Sequence, residues 1–229
     1  MSLVKIEKKI KKFNKNLTTS GDKSLSIRWA LLASQSPYKS KSYNLLNSED
    51  VLNTLKCLRK LGVKIKFTKK FCEIFGVGLN GFKYKKSLSL NAGNSGTLGR
   101  LIMGLLVHSR SNIKLRGDKS LSRRDFLRVS KPLERFGAKF KTNSGKLPIY
   151  IKGTDNPLPI SYNETRGSAQ CKSAVMLAAL NTRGETIIKA KKSRDHSELL
   201  FKYLKLPIKI SKKKNYDLIR IKGKKKNTH

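Results

Sequence analysis

With 229 residues, of which 38% are hydrophobic and 7% aromatic, the chain is long enough to bury a substantial core in one domain or two small ones. No apolar run approaches the about 20 residues that cross a bilayer, so the sequence predicts no transmembrane helix. The formal net charge of +38 is compatible with a nucleic-acid partner, but we interpret it as compositional bias. The lysines are spread through every segment, and aromatic residues do not interleave with them as a base-stacking surface requires. The sequence also contains no zinc-finger, RRM or KH signature.

Three apolar helices recur along the chain at nearly constant spacing. Each is predicted to begin at a glycine followed by small polar residues, at Gly21, Gly93 and Gly167, so the starts lie 72 and 74 residues apart. The helix bodies that follow are apolar on most sides, which predicts that they are buried. The sequence therefore predicts a threefold internal pattern.

A second helix, with a polar and acidic start, is predicted after each apolar helix. Serine, aspartate and glutamate at a helix start satisfy free amide groups and complement the helix dipole. The three predicted starts are Ser48, Ser122 and Ser193. The predicted stops are Gly62, Gly137 and Pro207.

Two strands joined by a polar turn are predicted after each second helix, because apolar and polar residues alternate there. These hairpins cover 63–67 with 72–76, 138–141 with 147–153, and 208–210 with 218–223. A further short strand is predicted between the two helices of a unit, as at 112–116 and 186–189.

The predicted fold class is α/β (α+β), with three βαβαββ-like units that have buried helices and outer sheets. The units are predicted at about 21–77, 78–153 and 154–223, within a single domain over 21–223. The outward faces of their strands carry many of the lysines. Residues 224–229 are predicted to be a disordered tail.

The hexapeptide Gly-Asp-Lys-Ser-Leu-Ser occurs twice, at 21–26 and at 117–122, and arginine follows each copy closely. A glycine turn, open amides at a helix start and nearby cations are how proteins hold a phosphate or carboxylate. Ser24 and Arg28 lie four residues apart and share a helix face, with Lys23 at the helix start. The motif predicts a site for a small, multiply charged anion. The alternative is a capped helix with two solvated cations.

Four other segments are candidates for the same kind of site. The glycine-rich stretch 91–97 has open amides that suit an anion, or is only a tight turn, and it does not match a nucleotide P-loop. Arg124 and Arg194 lie at the starts of second helices, where an arginine binds phosphate or carboxylate bidentately or forms a surface ion pair. Ser168 begins a buried helix, for which simple capping is the alternative.

Signals for covalent catalysis, metal binding and secretion are missing from the sequence. It contains no Gly-x-Ser-x-Gly elbow, and His196 has no second histidine at metal-binding spacing. Cys57, Cys72 and Cys171 follow neither CxxC nor metal-ligand spacing, so we predict reduced thiols, no metal and a cytoplasmic protein. The N-terminal lysines precede no apolar signal core.

Taken together, these motifs resemble the EPSP synthase (3-phosphoshikimate 1-carboxyvinyltransferase) family. The resemblance rests on 21–28, 93–97, 168–174 and 193–196, in matching order and spacing, and it covers essentially the whole chain. It implies transfer of the enolpyruvyl group of phosphoenolpyruvate to the 5-hydroxyl of shikimate 3-phosphate, with release of phosphate, in the shikimate pathway to aromatic amino acids. It also implies an addition followed by an elimination, no metal or other cofactor, and a two-domain fold with both substrates in the cleft between the domains.

The resemblance implies substrate contacts residue by residue. The implied contacts of shikimate 3-phosphate are Lys23, Ser24, Arg28, Ser168, Ala169, Gln170 and Arg194. The implied contacts of phosphoenolpyruvate are Lys23, Asn94, Gly96, Thr97, Arg124 and Gln170. Many cations and amides are needed because two highly anionic substrates must be brought together against their mutual repulsion.

The chain departs from the family pattern in two respects. Asp125 follows Arg124 where the family usually has proline, and we expect this carboxylate to weaken the hold of Arg124 on phosphoenolpyruvate. The family is also nearly twice as long: residues 1–20 would supply only the first strand of the other domain, which in the family carries the general acid and base. We therefore expect the chain alone to bind shikimate 3-phosphate weakly without turnover, and we count a separate C-terminal half among its candidate partners.

Two alternative functions stay open at this point. The enolpyruvyl transferases that act on UDP-N-acetylglucosamine typically have a reactive cysteine in the loop that matches 117–124, where this chain has Asp118 and Lys119. A non-catalytic, basic nucleic-acid-binding module is the other alternative, and the salt dependence of DNA binding would distinguish it.

Overall fold

The structure of the protein is a computed structural model that describes residues 5, 7–9, 12, 14, 16, 17 and 19–223. Half of the strand region predicted at 1–20 lies outside the described residues, and the disordered tail predicted at 224–229 lies entirely outside them.

The described part of the chain contains seven α-helices and eleven strands, which are mixed along the sequence. The helices are α1 (Lys23–Ser34), α2 (Glu49–Lys60), α3 (Gly96–Leu105), α4 (Lys119–Ser122), α5 (Leu127–Glu134), α6 (Ala169–Leu180) and α7 (His196–Tyr203), and a 3-10 turn (Leu106–His108) extends α3. The strands are β1 (Lys39–Tyr43), β2 (Lys64–Phe67), β3 (Phe71–Phe75), β4 (Leu88–Asn91), β5 (Ile113–Arg116), β6 (Lys139–Asn143), β7 (Lys146–Lys152), β8 (Ser161–Glu164), β9 (Gly184–Lys191), β10 (Ile208–Lys212) and β11 (Tyr216–Gly223).

The strands form three separate sheets, with the orders β1-β3-β2, β4-β5-β7-β6 and β10-β11-β9-β8. The second and third sheets each contain one parallel pair, β4 with β5 and β8 with β9, together with the predicted antiparallel hairpin. The first sheet has three strands within the described residues. The predicted α/β fold class is confirmed, and the sheets occupy 39–75, 88–152 and 161–223.

The three predicted apolar helices α1, α3 and α6 form the core, as their apolar bodies require. Every residue of α3 is buried, and α6 is buried from Cys171 to Leu180. Helix α3 packs on both α1 and α6. At Gly104 the α3 and α6 backbones come so close that an added Cβ would lie 2.1 Å from the Ala174 carbonyl oxygen. Only glycine fits this helix contact without a shift of the backbone.

The second helix of the middle unit differs from the prediction. It was expected to start at Ser122, but Ser122 ends the short helix α4, whose start is capped by the Asp118 carboxylate. The chain then turns because the buried Phe126 donates its amide to the Gly145 carbonyl, while Asp125 accepts the Leu127 amide. Helix α5 therefore begins only at Leu127.

The second helices of the first and third units, α2 and α7, begin without a side-chain cap. Neither Ser48 nor Asp195 makes a side-chain hydrogen bond at its helix start. Acidic residues nevertheless lie in the first turns, Glu49 and Asp50 in α2 and Glu198 in α7, where a negative charge complements the helix dipole.

Lysines lie on the outer faces of the sheets, as predicted. Some of them contact aromatic rings across paired strands. Lys41 Nζ lies 4.4 Å from the ring centroid of Phe71, and Lys189 Nζ lies 4.6 Å from that of Tyr216. Because alternate residues of a strand share one face, lysine and aromatic side chains that are distant in sequence become cross-strand neighbours.

The three cysteines are unpaired and buried, and burial raises the pKa of the Cys57 and Cys72 thiols to about 11. No helix within the described residues has the length and apolar character needed to cross a membrane. Nor do these residues bring together three or more His, Cys, Asp or Glu side chains that could hold a metal ion.

We expect Gly104→Ala to destabilise the protein by about 2 kcal/mol or more, because the added methyl group collides with backbone rather than with a flexible side chain. The free energy of unfolding in urea measures this loss. Gly99→Ala in the same helix is the matched control, since its Cβ would meet side chains rather than backbone, the nearest being the ring edge of Phe126 at 3.3 Å. Equal stability of the two variants would contradict the close helix contact.

Burial lowers the pKa of His108 to about 4, against the opposing effect of a hydrogen bond with the backbone of Ala178. Between about pH 6.5 and pH 4 the unfolded chain therefore binds a proton that the folded protein does not, and stability falls as the pH falls. We expect His108→Gln to lessen this loss, as measured by urea unfolding at pH 7 and pH 5. An identical loss in both proteins would exclude His108 as its source.

Candidate functional site

The N-termini of the three core helices meet at one cleft, which has a volume of about 400 Å³. Its walls come from the start of α1, from Thr97 on α3, from 167–170 at the start of α6, and from the segment that leads into α7. All seven residues predicted to contact shikimate 3-phosphate line this cleft: Lys23, Ser24, Arg28, Ser168, Ala169, Gln170 and Arg194.

Each core helix begins with a side-chain cap that leaves its first two amides without a hydrogen-bond partner among the described residues. Asp22, Ser95 and Ser168 accept the amide of the residue three positions later. The first amides with helical partners are those of Ser26, Gly99 and Lys172. The amides that precede both kinds of bond belong to Lys23 and Ser24, Gly96 and Thr97, and Ala169 and Gln170. Capping and an anion site are therefore compatible at these helix starts.

Arg28 is only 5% exposed, and its guanidinium is held by three partners. Its Nε–H donates to Ser197 Oγ at 2.8 Å, and Nη1 donates to the carbonyl of Ser24 at 3.1 Å. Nη2 lies 3.4 Å from Ser173 Oγ. Burial lowers the pKa of Arg28, an effect that the nearby Glu198 carboxylate opposes. This network orients a buried cation at the wall of the cleft.

Lys23 is engaged by a carboxylate at the edge of the cleft. Its Nζ lies 3.1 Å from Asp50 Oδ2 in the first turn of α2, and its side chain is half exposed. A bound anion would have to share the Lys23 ammonium group with Asp50 or replace Asp50 as its partner. Such an exposed pair contributes little to stability, so the exchange costs little free energy.

Gln170 connects the cleft to a second group of cations. Its Nε2 donates to Thr97 Oγ1 at 3.1 Å, and its Oε1 accepts from Arg100 Nη1 at 2.7 Å. Burial, reinforced by the neighbouring cations Arg128 and Arg124, lowers the pKa of Arg100 to about 10.

The residues predicted for the phosphoenolpyruvate side are divided between two places. Lys23, Thr97 and Gln170 line the cleft, whereas Asn94, Gly96 and Arg124 lie beside it. Arg124 Nη2 donates to Asn94 Oδ1 at 3.0 Å, and Asn94 Nδ2 donates to Asp118 Oδ2 at 2.8 Å.

Gly96 lies beneath two guanidinium groups. An added Cβ there would lie 2.8 Å from Arg100 Nη1 and 3.1 Å from Arg124 Nη1. Both arginines therefore approach the open start of α3, where a carboxylate or phosphate would find amides and positive charge together.

Asp125 turns away from Arg124. Its carboxylate accepts the Leu127 amide at 2.8 Å and lies 3.9 Å from Arg166 Nη1. The expected weakening of Arg124 by Asp125 therefore has no direct contact behind it in the structure.

Sequence analysis assigned no binding role to four polar residues of this region. Arg100, Ser173 and Ser197 lie within helices, and although Ser173 falls in the segment 168–174, nothing in the sequence marks these three as part of the site. Ser193 lines the cleft, and its buried hydroxyl has no hydrogen-bond partner within the described part of the chain. A charged residue in an otherwise apolar helix, such as Arg100, was the only available signal.

Comparison with known proteins gives one consistent result. Residues 7–229 match the family model described as EPSP synthase (3-phosphoshikimate 1-carboxyvinyltransferase). A 3-phosphoshikimate 1-carboxyvinyltransferase of Ruthia magnifica is 43% identical over 199 residues, which cover 86% of this chain and 46% of the relative. One of Vesicomyosocius okutanii is 44% identical over 200 residues, which cover 87% and 46%.

A solved structure of EPSP synthase from Acinetobacter baumannii is similar, with a TM-score of 0.83 and 34% sequence identity. The match covers 92% of this chain and 47% of that one. The chain thus spans about half the length of the curated relatives that it matches.

The geometry predicts that inorganic phosphate binds in the cleft and that Arg28→Met weakens this binding about 10- to 100-fold. The loss corresponds to one buried, charge-assisted hydrogen-bonding group. Isothermal titration calorimetry at fixed ionic strength measures the affinity. Arg110→Met removes an exposed cation paired with Asp155 and is the control for net charge. A phosphate affinity that Arg28→Met leaves unchanged would place the anion elsewhere.

Proposed function

The chain belongs to the EPSP synthase family, and on that premise we propose that it supplies the shikimate 3-phosphate-binding part of an active site for enolpyruvyl transfer. In the proposed reaction the 5-hydroxyl of shikimate 3-phosphate adds to phosphoenolpyruvate, and elimination then releases phosphate. The whole activity is a proposal for this protein, because the matched relatives are about twice as long.

One observation supports the proposal most strongly. Three helix N-termini, with their open amides, meet at one cleft that also contains Lys23, Arg28 and Arg194. Amides, hydroxyls and cations at helix starts are suited to a ligand that carries a phosphate, a carboxylate and hydroxyl groups.

The proposed roles are those that the family resemblance implies, and the positions of the residues in the cleft support them. Ser168 and Ala169 bind the phosphate of shikimate 3-phosphate at the start of α6, with Arg194 adding charge. Lys23, Ser24 and Arg28 contact the same substrate from α1.

Phosphoenolpyruvate is proposed to lie on the α3 side of the cleft. Arg124 clamps it, and the loop of Asn94, Gly96 and Thr97 donates amides. Gln170 contacts both substrates, a role supported by its bonds to Thr97 and Arg100. Lys23 lies at the edge of the cleft, where it contacts both ligands.

These groups lower the cost of bringing two anions together. Each substrate loses hydration on entering the cleft, and fixed amides and cations replace it without further reorganisation. Holding the 5-hydroxyl against the enolpyruvyl carbon converts an encounter into an intramolecular step. No residue of this chain is proposed as the general acid or base.

We further propose that 21–223 is one substrate-binding domain of three units, at about 21–77, 78–153 and 154–223. The separate sheets at 39–75, 88–152 and 161–223 support this division. We also propose a cytoplasmic location, which the three unpaired cysteines support.

We expect the protein to bind shikimate 3-phosphate at least about tenfold more tightly than shikimate, because only the former places a phosphate at the helix starts. Arg194→Met should weaken shikimate 3-phosphate about three- to tenfold and leave shikimate unchanged. Lys192→Met removes an exposed neighbouring cation that does not line the cleft and is the matched control.

Calorimetric titration of the chain with both ligands at one ionic strength makes the measurement. Equal affinity for shikimate and shikimate 3-phosphate would contradict the proposal. An Arg194→Met variant indistinguishable from Lys192→Met would remove Arg194 from the site.

A further inference from the structure

A buried ion pair lies next to the candidate site and has no role in the proposed chemistry. Lys172 on α6 has a fully buried side chain and pairs with Glu198 on α7, whose side chain is 4% exposed. Within the described residues, Lys172 Nζ and both carboxylate oxygens of Glu198 have no further hydrogen-bond partner.

Stability is a poor explanation for this pair. Removing two charges from water costs several kcal/mol per ion, and a buried pair often stabilises a fold no better than apolar residues of similar volume. The pair does fix one geometry, because separating the two charges would leave each of them buried and uncompensated. The question is what this fixed geometry holds in place.

The pair adjoins the two serines that hold Arg28. Ser197 precedes Glu198 in the chain and accepts the Nε–H of Arg28 at 2.8 Å. Ser173 follows Lys172 and lies 3.4 Å from Arg28 Nη2. The two serine hydroxyls are hydrogen-bonded to each other at 2.6 Å. The contact between α6 and α7 that the ion pair fixes is therefore the contact that orients Arg28.

The buried charges also leave a positive excess. Arg28 and Lys172 carry two positive charges and Glu198 carries one negative charge, and all three residues are at least 95% buried. Arg28 lines the cleft, whereas Lys172 and Glu198 do not. Glu198 thus compensates one buried cation while the other remains available to an anionic ligand.

We propose that Glu198 is a positioning residue: paired with Lys172, it locks α7 onto α6 so that Ser197 and Ser173 hold the Arg28 guanidinium toward an anion in the cleft. The inference rests on the proposed function only for the identity of that anion. It does not require turnover.

The inference predicts a result opposite to simple electrostatics. Glu198→Gln removes a negative charge near an anion site, so Coulomb attraction alone would tighten phosphate binding. Loss of the lock should instead weaken inorganic phosphate about tenfold, by misplacing a charge-assisted hydrogen bond. Glu73→Gln, a carboxylate paired with surface lysines on the first sheet, is the matched control for charge.

The direct readout is the Nε–Hε NMR resonance of Arg28, assigned by its disappearance in Arg28→Lys. In Glu198→Gln we expect this resonance to shift and its proton to exchange faster with water. Gly153→Ala places a methyl group against the backbone of Val107 and Ser109, which are not partners of Arg28. It should lower stability and leave the resonance in place, which separates positioning from general destabilisation.

A second variant guards against misfolding of Glu198→Gln. The pair Lys172→Met with Glu198→Leu removes both buried charges at similar volume, and such replacements commonly retain the fold. We expect a folded protein with a displaced Arg28 resonance and about tenfold weaker phosphate binding. An unchanged Arg28 resonance in both variants would overturn the inference. If the wild-type protein binds inorganic phosphate but shows no preference for shikimate 3-phosphate, the proposed function fails while the Arg28 resonance still decides the role of Glu198.

Discussion

Three buried helices that begin at one place are the constraint on which the rest of the structure depends. Helix α3 packs against α6 so closely that only glycine fits at position 104, and the sheets lie outside this contact. Because an α-helix cannot bond its own first amides, three sets of unpaired donors must meet wherever three helix starts converge. The proposed anion site is in this sense a by-product of core packing, and its side chains would add to what the backbone already supplies.

The site has two parts, which the hydrogen bonds of one side chain connect. In the cleft, Arg28 is hydrogen-bonded to a serine pair, and beside the cleft Arg124 is hydrogen-bonded to Asn94. Gln170 joins them by bonding both Thr97 and Arg100. Two anions that repel each other can thus be held by separate cations and still lie close together, which is what a transfer between them requires.

The sequence could predict the repeating pattern, since apolar periodicity and the glycines before α1, α3 and α6 are local signals. It could also predict the cleft residues, whose motifs carry the family resemblance. Local sequence patterns could not predict features that depend on a residue distant in the sequence. Phe126 bonds Gly145 and delays α5, and lysines meet aromatic rings only after strands pair. Lys172 differs from the solvated lysines only in lying within an apolar helix, and the sequence cannot identify its partner Glu198, because that residue lies on another helix.

The repeated hexapeptide illustrates how far local information reaches. In both copies the aspartate caps a helix that begins at the following lysine, with the carboxylate accepting the amide three residues later. The first helix then continues for 12 residues and the second for 4. The six identical residues therefore determine where a helix begins but not how long it is. The residues that follow them determine its length. The same start therefore opens a long buried helix at the cleft and a single turn beside Arg124, and helix length can differ between the two places without any change in the start.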